Sequence, residues 1–211
     1  MKDLIILVAD LDTENVLQGL LPKVPKVCRT RAFTYDIRRH INRDPGCVNE
    51  SAEFLRPFIG QYTYALVVFD KEGSGQENKS RAVIEHQVEQ TIAANGWNVE
   101  QVAVISIDPE VENWIWINSP HVAQSLEWKE SASLFDWLTA NGFLEAGAAK
   151  PGRPKEAMET VLRKSKRPRS AAIYRAIAEQ VSWKRCTDPA FLKMIQVLTN
   201  WFTTDNEVLT S

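Results

Sequence analysis

The 211-residue chain sets 25 Lys and Arg against 27 Asp and Glu, and its formal net charge of −2 excludes a strong overall attraction to nucleic acid or to an anionic membrane, so any such contact must be a local patch. With 44% apolar residues it can bury a full core, as one large domain or a domain with an appendage. No apolar run approaches the roughly 20 residues of a membrane span, and three widely spaced cysteines, Cys28, Cys47 and Cys186, argue against a disulfide framework and lack zinc-ligand spacing.

Met1-Lys2-Asp3 leads directly into an apolar run without a secretory pattern, so a cytoplasmic location is expected. The run Leu4-Ile5-Ile6-Leu7-Val8-Ala9 predicts a buried strand over 4–10 that ends on Asp10. A short helix is expected over 13–21, stopped by Pro22, and then an edge strand over 27–35 carrying Arg29 and Arg31. Residues 36–49 read as irregular, with Asp44-Pro45-Gly46 as a turn; a helix over 50–59 ends at Gly60. Tyr64-Ala65-Leu66-Val67-Val68-Phe69 predicts a strand over 63–70 that ends on Asp70. Ser80 can cap the next helix, where Ile84, Val88 and Ile92 fall four apart and Asn95-Gly96 closes it. A third apolar strand, 99–107, delivers Asp108.

From Glu110 onward only helices are expected, over 110–118, 131–140, 155–164, 170–181 and 188–203. Strands alternating with helices imply right-handed crossovers, hence an α/β fold with a mostly parallel, Rossmann-like sheet flanked by helices. The expected division is an α/β domain over 1–118 and a helical C-terminal half over 119–211, packed on it.

The chemistry is concentrated where the three apolar runs stop. They deliver Asp10, Asp12 and Glu14; then Asp70 and Glu72; then Asp108, Glu110 and Glu112. In open α/β sheets the working site lies beyond the carboxyl ends of the strands. Carboxylates gathered there repel one another unless a cation sits among them, and a hard divalent ion, Mg2+ or Mn2+, prefers oxygen ligands. Each group also has a plainer explanation. Asp12, Thr13 and Glu14 can serve as N-cap and first-turn residues. Asp70-Lys71-Glu72 can be an acidic turn before glycines, although i and i+2 share a face in an extended chain. Pro109 and Glu110 suit an ordinary helix start.

The basic stretch with Lys150, Arg153, Lys155, Arg163, Lys164, Lys166, Arg167 and Arg169 can hold phosphates or be a solvated loop. Trp114, Trp116, Trp128, Trp137, Trp183 and Trp201 are expected mostly in the core or at an interface, and His40, His86 and His121 are isolated. Gly73 to Ser80 is not a phosphate loop, because Asn78 stands where the motif needs Gly before Lys79. Asp10-Leu11-Asp12-Thr13 also matches the nucleophile motif of haloacid-dehalogenase-type phosphatases, but the remaining parts of that set do not fall in order.

In their order these parts resemble a TOPRIM (topoisomerase–primase) domain, of the small stand-alone kind similar to the nuclease domain of the overcoming-lysogenization-defect proteins. Asp10-Leu11-Asp12-Thr13-Glu14 stands where the family has Glu-Gly-x-Thr-Glu, Asp70-Lys71-Glu72 where it has Asp-x-Asp, and Pro109-Glu110-Val111-Glu112-Asn113-Trp114 where it has Pro-x-x-Glu-x-Trp. Lys150-Pro151, Tyr174, Ile177-Ala178, Cys186 and Phe191 follow the C-terminal pattern of such proteins.

The resemblance implies a Mg2+- or Mn2+-dependent nuclease of bacterial anti-phage defence, among them methylation-associated systems. Asp10, Asp70 and Glu72 would be catalytic. Asp10, Glu14, Asp70, Glu72 and Glu112 would be the metal ligands. Lys150, Arg153, Lys164, Lys166, Arg167 and Arg169 would hold DNA or another nucleic acid. Asp10, Leu11 and Glu72 depart from the family pattern. Carboxylates are retained, but a methylene's displacement bears on the positioning that controls rate. The alternative expectation is a non-catalytic TOPRIM-like subunit that binds nucleic acid or a protein partner of a defence complex.

Overall fold

A computed structural model of the chain describes residues 1–182 and 186–204; Trp183 falls outside them. The chain begins with β1 (Lys2–Val8), α1 (Leu11–Leu20), a 3-10 turn over Leu21–Lys23 and α2 (Val24–Cys28). Next come β2 (Tyr35–Arg39), α3 (Arg43–Asn49), α4 (Ser51–Leu55), β3 (Tyr62–Asp70), α5 (Arg81–Ala94) and β4 (Val102–Ile107). The remainder is helical: α6 (Glu112–Ile115), α7 (Pro120–Ser125), α8 (Leu134–Ala140), α9 (Pro154–Lys164), α10 (Ala171–Gln180) and α11 (Pro189–Phe202). Among the described residues the strands form one parallel sheet in the order β2-β1-β3-β4. The fold is α/β, as the alternation of elements predicts.

The sheet is covered on both faces, and this is why its strands read as unbroken apolar runs rather than as an alternation. Leu4, Ile6, Val8, Leu66, Val68 and Ile105 point into one core, shared with α1, α10 and α11. Ile5, Leu7, Ala65, Val67, Phe69 and Val104 point into the other, under α4 and α5. On the first face α10 packs along α1 and α11 lies against β4. Lys193 of α11 fastens that contact, reaching Glu85 at 3.1 Å, Glu89 at 2.7 Å and the Val104 carbonyl at 2.9 Å.

Several boundaries differ from expectation, for local reasons. The strand expected over 27–35 is instead the end of α2, the left-handed Arg29 (φ 56°) and an extended link; the strand proper is β2, which begins at Tyr35, the last residue of the expected span. Pro22 does not simply stop α1, because it and Pro25 occupy first-turn positions of the short helices that follow, where a missing N–H costs nothing. Residues 36–49 are regular rather than irregular: Asp44-Pro45-Gly46 is the first turn of α3. Gly46 is required there, since a Cβ would stand 1.9 Å from Nδ1 of His40, a buried structural residue whose Nε2 lies 3.6 Å from Glu50. The helix α7, unexpected, is marked by Ser119 as N-cap and Pro120 behind it. Trp114 and Trp116 are buried and Trp128, Trp137 and Trp201 half-buried. No helix among the described residues is long and apolar enough to cross a membrane.

Candidate metal centre

The carboxyl ends of β1, β3 and β4 open on the same edge of the sheet, and Asp70, Glu110 and Glu112, delivered by β3 and β4, meet there. Asp70 is the last residue of β3, a central strand; its side chain is buried and its Oδ1 has no hydrogen-bond partner. Its backbone N–H donates to Oδ1 of Asp44 at 2.8 Å, which brings the first turn of α3 to the strand end. Beyond β4, the chain turns at Pro109 and delivers Glu110 and then Glu112, the first residue of α6. Both are buried, 7% and 2% exposed. Carboxylate oxygens of Asp70, Glu110 and Glu112 lie within 4.8 Å of one another. A triad of hard oxygen donors this close can hold a metal ion, and the orphaned Oδ1 of Asp70 is the coordination position the protein itself leaves unsatisfied.

The electrostatics are those of crowded, buried acids. Burial, followed by the negative charges of Asp44, Glu112, Asp10 and Glu110, pushes the Asp70 carboxyl well above the usual carboxylate range. Burial likewise raises Asp12, Asp44, Glu110 and Glu112. Three side chains from the helical half oppose this repulsion. Lys155, near the start of α9, lies 3.3 Å from Glu110. Burial works against its charge, but Glu110, Glu112 and Asp70 outweigh that and hold its pKa above the ordinary lysine value. Tyr174 of α10 donates its hydroxyl to Glu112 Oε1 at 2.8 Å. Arg169 reaches Asp12 at 2.7 Å and Glu159 at 3.2 Å, and stands 3.6 Å from Glu112.

Of the residues expected as metal ligands, Asp70 and Glu112 belong to this triad. Asp10 lies beside it: its Oδ1 accepts from the Thr13 N–H at 2.8 Å as the N-cap of α1, while its charge raises Asp12, Asp44 and Asp70. Glu72 is exposed on the rim of an open cavity of about 510 Å³ that it shares with Asp44, Glu110 and Lys155. Glu14 faces away, paired with Arg39 at 3.0 Å and with Gln18 at 3.0 Å.

The basic residues are mostly engaged within the chain. Arg153 pairs with Glu156, Lys164 with Glu130 and Arg167 with Glu127 and the Ser125 carbonyl. Lys150 lies 3.9 Å from Cys186 Sγ. Lys150, Arg163 and Lys166, the last left-handed at φ 55°, form no ion pair among the described residues.

Glu110 is the member of the triad absent from the expected ligand set. It stands two residues before Glu112, the same spacing as Asp70 and Glu72, but the Pro109 beside it reads first as helix-start chemistry. Asp44 carried no local signal at all. No family model matches this chain, and neither a curated protein nor a solved structure matches it.

Proposed function

We propose that the chain is a divalent-metal-dependent nuclease, working on the phosphodiester backbone from the carboxyl edge of its sheet. The observation that carries this reading is the unpartnered buried Oδ1 of Asp70 beside Glu110 and Glu112. These three residues would hold Mg2+ or Mn2+, with Asp10 and Glu72 close to the site. The ion, when bound, supplies Lewis-acid activation of water and charge stabilisation at the phosphorus. Lys155 and Arg169 are the cations nearest the carboxylates and are suited to neutralise a phosphate brought against them. Tyr174 fixes the Glu112 carboxylate by its hydrogen bond, a positioning role. The resemblance to stand-alone TOPRIM proteins supports the same chemistry and extends the proposal to phage defence.

A specific observation favours the second reading, a non-catalytic subunit. Lys155 and Arg169 already form ion pairs with Glu110 and Asp12, so part of the negative charge is neutralised within the chain.

Thermal melts with Mg2+ and Mn2+, run beside cleavage assays on single- and double-stranded DNA and RNA, separate the two. Metal at about 100 times its Kd stabilises by about 2.7 kcal/mol, or about 5–10 °C for a chain of this size. The nuclease reading expects that rise and metal-dependent cleavage in the native chain, and neither in Asp70→Ala. A flat melt with no cleavage supports the non-catalytic subunit; cleavage that survives Asp70→Ala overturns the assigned centre.

A further inference from the structure

Next to Asp10, on the side away from Glu110, lies an open cavity of about 640 Å³. It is enclosed by the end of β1, the start of α1 and the stretch where β2 runs into α3. Three arginines line it, Arg38, Arg39 and Arg43, against two carboxylates, Asp10 and Glu14. Arg39 is engaged with Glu14 at 3.0 Å. Arg38 is exposed; its guanidinium donates to the carbonyl of its neighbour Ile37 at 3.3 Å and its charge acts on Asp36, without an ion pair among the described residues. Arg43 is exposed and its guanidinium has no partner among the described residues. The cavity thus presents two exposed guanidinium groups that form no ion pair among the described residues, whereas in the 150–169 segment Arg153, Arg167 and Arg169 are paired and Arg163 alone among the arginines is not.

Two further features accompany that charge. Leu11 and Ile41 line the same cavity and are 47% and 91% exposed, so two aliphatic side chains stand beside the arginines. Arg43 holds a left-handed backbone (φ 50°), which a non-glycine residue adopts under strain. Free cations with exposed aliphatic surface fit a ligand that is anionic along one side and apolar along the other, as a nucleic-acid strand is. An edge strand also carries charge to discourage pairing with a second sheet, which would account for Arg38 on β2 but not for Arg43 beyond the strand.

We infer that this cavity carries the nucleic-acid strand past the carboxylates, with Arg38 and Arg43 contacting consecutive phosphates and Leu11 and Ile41 the sugar and base faces. The inference rests on the nuclease reading and adds to it the path of the substrate.

The test is binding of a fluorescein-labelled single-stranded oligonucleotide by the full chain in Ca2+, followed by anisotropy as a function of salt. The double variant Arg38→Glu/Arg43→Glu changes only exposed side chains; its melting temperature confirms that it folds, and Arg38→Lys/Arg43→Lys serves as the conservative rescue. The inference expects affinity to fall about tenfold or more in the Glu pair, the slope of log K against log salt to drop by about 1.4 for two lost contacts to a single strand, and the Lys pair to retain most binding. Equal binding by the native chain and the Glu pair overturns the path and leaves the metal centre standing. So does a loss confined to Arg153→Glu/Lys164→Glu. Displacement of the oligonucleotide by inorganic phosphate at equal concentration would overturn the strand in favour of a small-anion site. Absence of binding by the native chain, with a metal-dependent melt intact, overturns both the path and the nucleic-acid substrate but not the metal site.

Discussion

The backbone N–H of Asp70 is bonded to the Asp44 carboxylate at 2.8 Å, while the Asp70 side chain keeps a buried Oδ1 with no partner. One acid is therefore spent on holding the strand end and the other is left exposed to repulsion. Between pH 4 and its raised folded value Asp70 binds more protons folded than unfolded, so without metal its contribution to stability falls as pH rises through that window and stays lost above it. Asp70→Asn removes the charge at nearly constant shape. At pH 7 without metal the variant is expected to melt higher than the native chain, by about 2–4 °C for each kcal/mol relieved, and to lose the response to Mg2+. A variant that melts lower and still responds to metal would remove Asp70 from the centre. Stability bought back by deleting one acid is the signature of a site held for function.

Tyr174 donates to Glu112 Oε1 at 2.8 Å with both groups buried. In Tyr174→Phe the carboxylate keeps its burial and loses its donor, a cost of about 1–3 kcal/mol. Loss of an outer partner that orients a ligand also weakens metal binding, typically by about 10- to 100-fold. Calorimetric titration with Mn2+ reads that effect separately from the fall in melting temperature. A stability loss with unchanged metal affinity would make Tyr174 a packing residue and nothing more.

The parts of the fold legible in the sequence are those buried on both sides. β1, β3 and β4 show as apolar runs because α1, α10 and α11 cover one face and α4 and α5 the other. β2 escaped because Tyr35-Asp36-Ile37-Arg38-Arg39 is an edge strand paired only with β1, half-exposed and highly charged. α3 escaped because Pro45 and Gly46, ordinary turn residues, are accommodated in its first turn. The same distinction holds at the site. Asp70 follows directly from an apolar strand, and its position at the sheet edge is readable. Asp44 joins it from 26 residues away through one hydrogen bond, and Lys155 and Tyr174 arrive with the helical half. No local pattern encodes a meeting of that kind; it is made by the packing of α9 and α10.

Gly19 marks how closely that packing is drawn. A Cβ there would stand 2.8 Å from both Ala178 Cβ and the Arg175 carbonyl oxygen, so α10 must shift to admit it. Overpacking of this kind costs about 1–3 kcal/mol, and the gain in helix propensity from Gly to Ala, about 1 kcal/mol, offsets part of it. The net of about 0–2 kcal/mol is expected to lower the melting temperature of Gly19→Ala by up to about 8 °C. Gly152→Ala, at a site with nothing within 4 Å, is the matched control and should leave it unchanged. Equal behaviour of the two would mean that α10 moves freely over α1, and with it Tyr174.

Asp3 governs the opposite limb of the pH profile. Its carboxylate accepts from Arg31 at 2.6 Å and from the Thr34 N–H at 2.7 Å, tying the start of β1 to the segment that leads into β2. The Arg31 hydrogen bond, opposed by partial burial and aided by Thr34, holds the Asp3 carboxyl down at about 2, against an ordinary value of 3.8. A depressed acid stabilises the fold above its unfolded pKa, so this contribution is complete above about pH 4 and is lost as pH falls toward about 2. Asp3→Asn should therefore lower stability at pH 7, flatten the acid limb between pH 4 and 2, and converge with the native chain at the acid end. Because Arg31 also packs over Phe202 at 5.0 Å and its N–H bonds the Phe202 carbonyl, the same variant loosens the end of α11. Hydrogen exchange at Arg31 should rise in step with the lost stability, and an unchanged acid limb would show that the clip contributes nothing at the edge of the sheet.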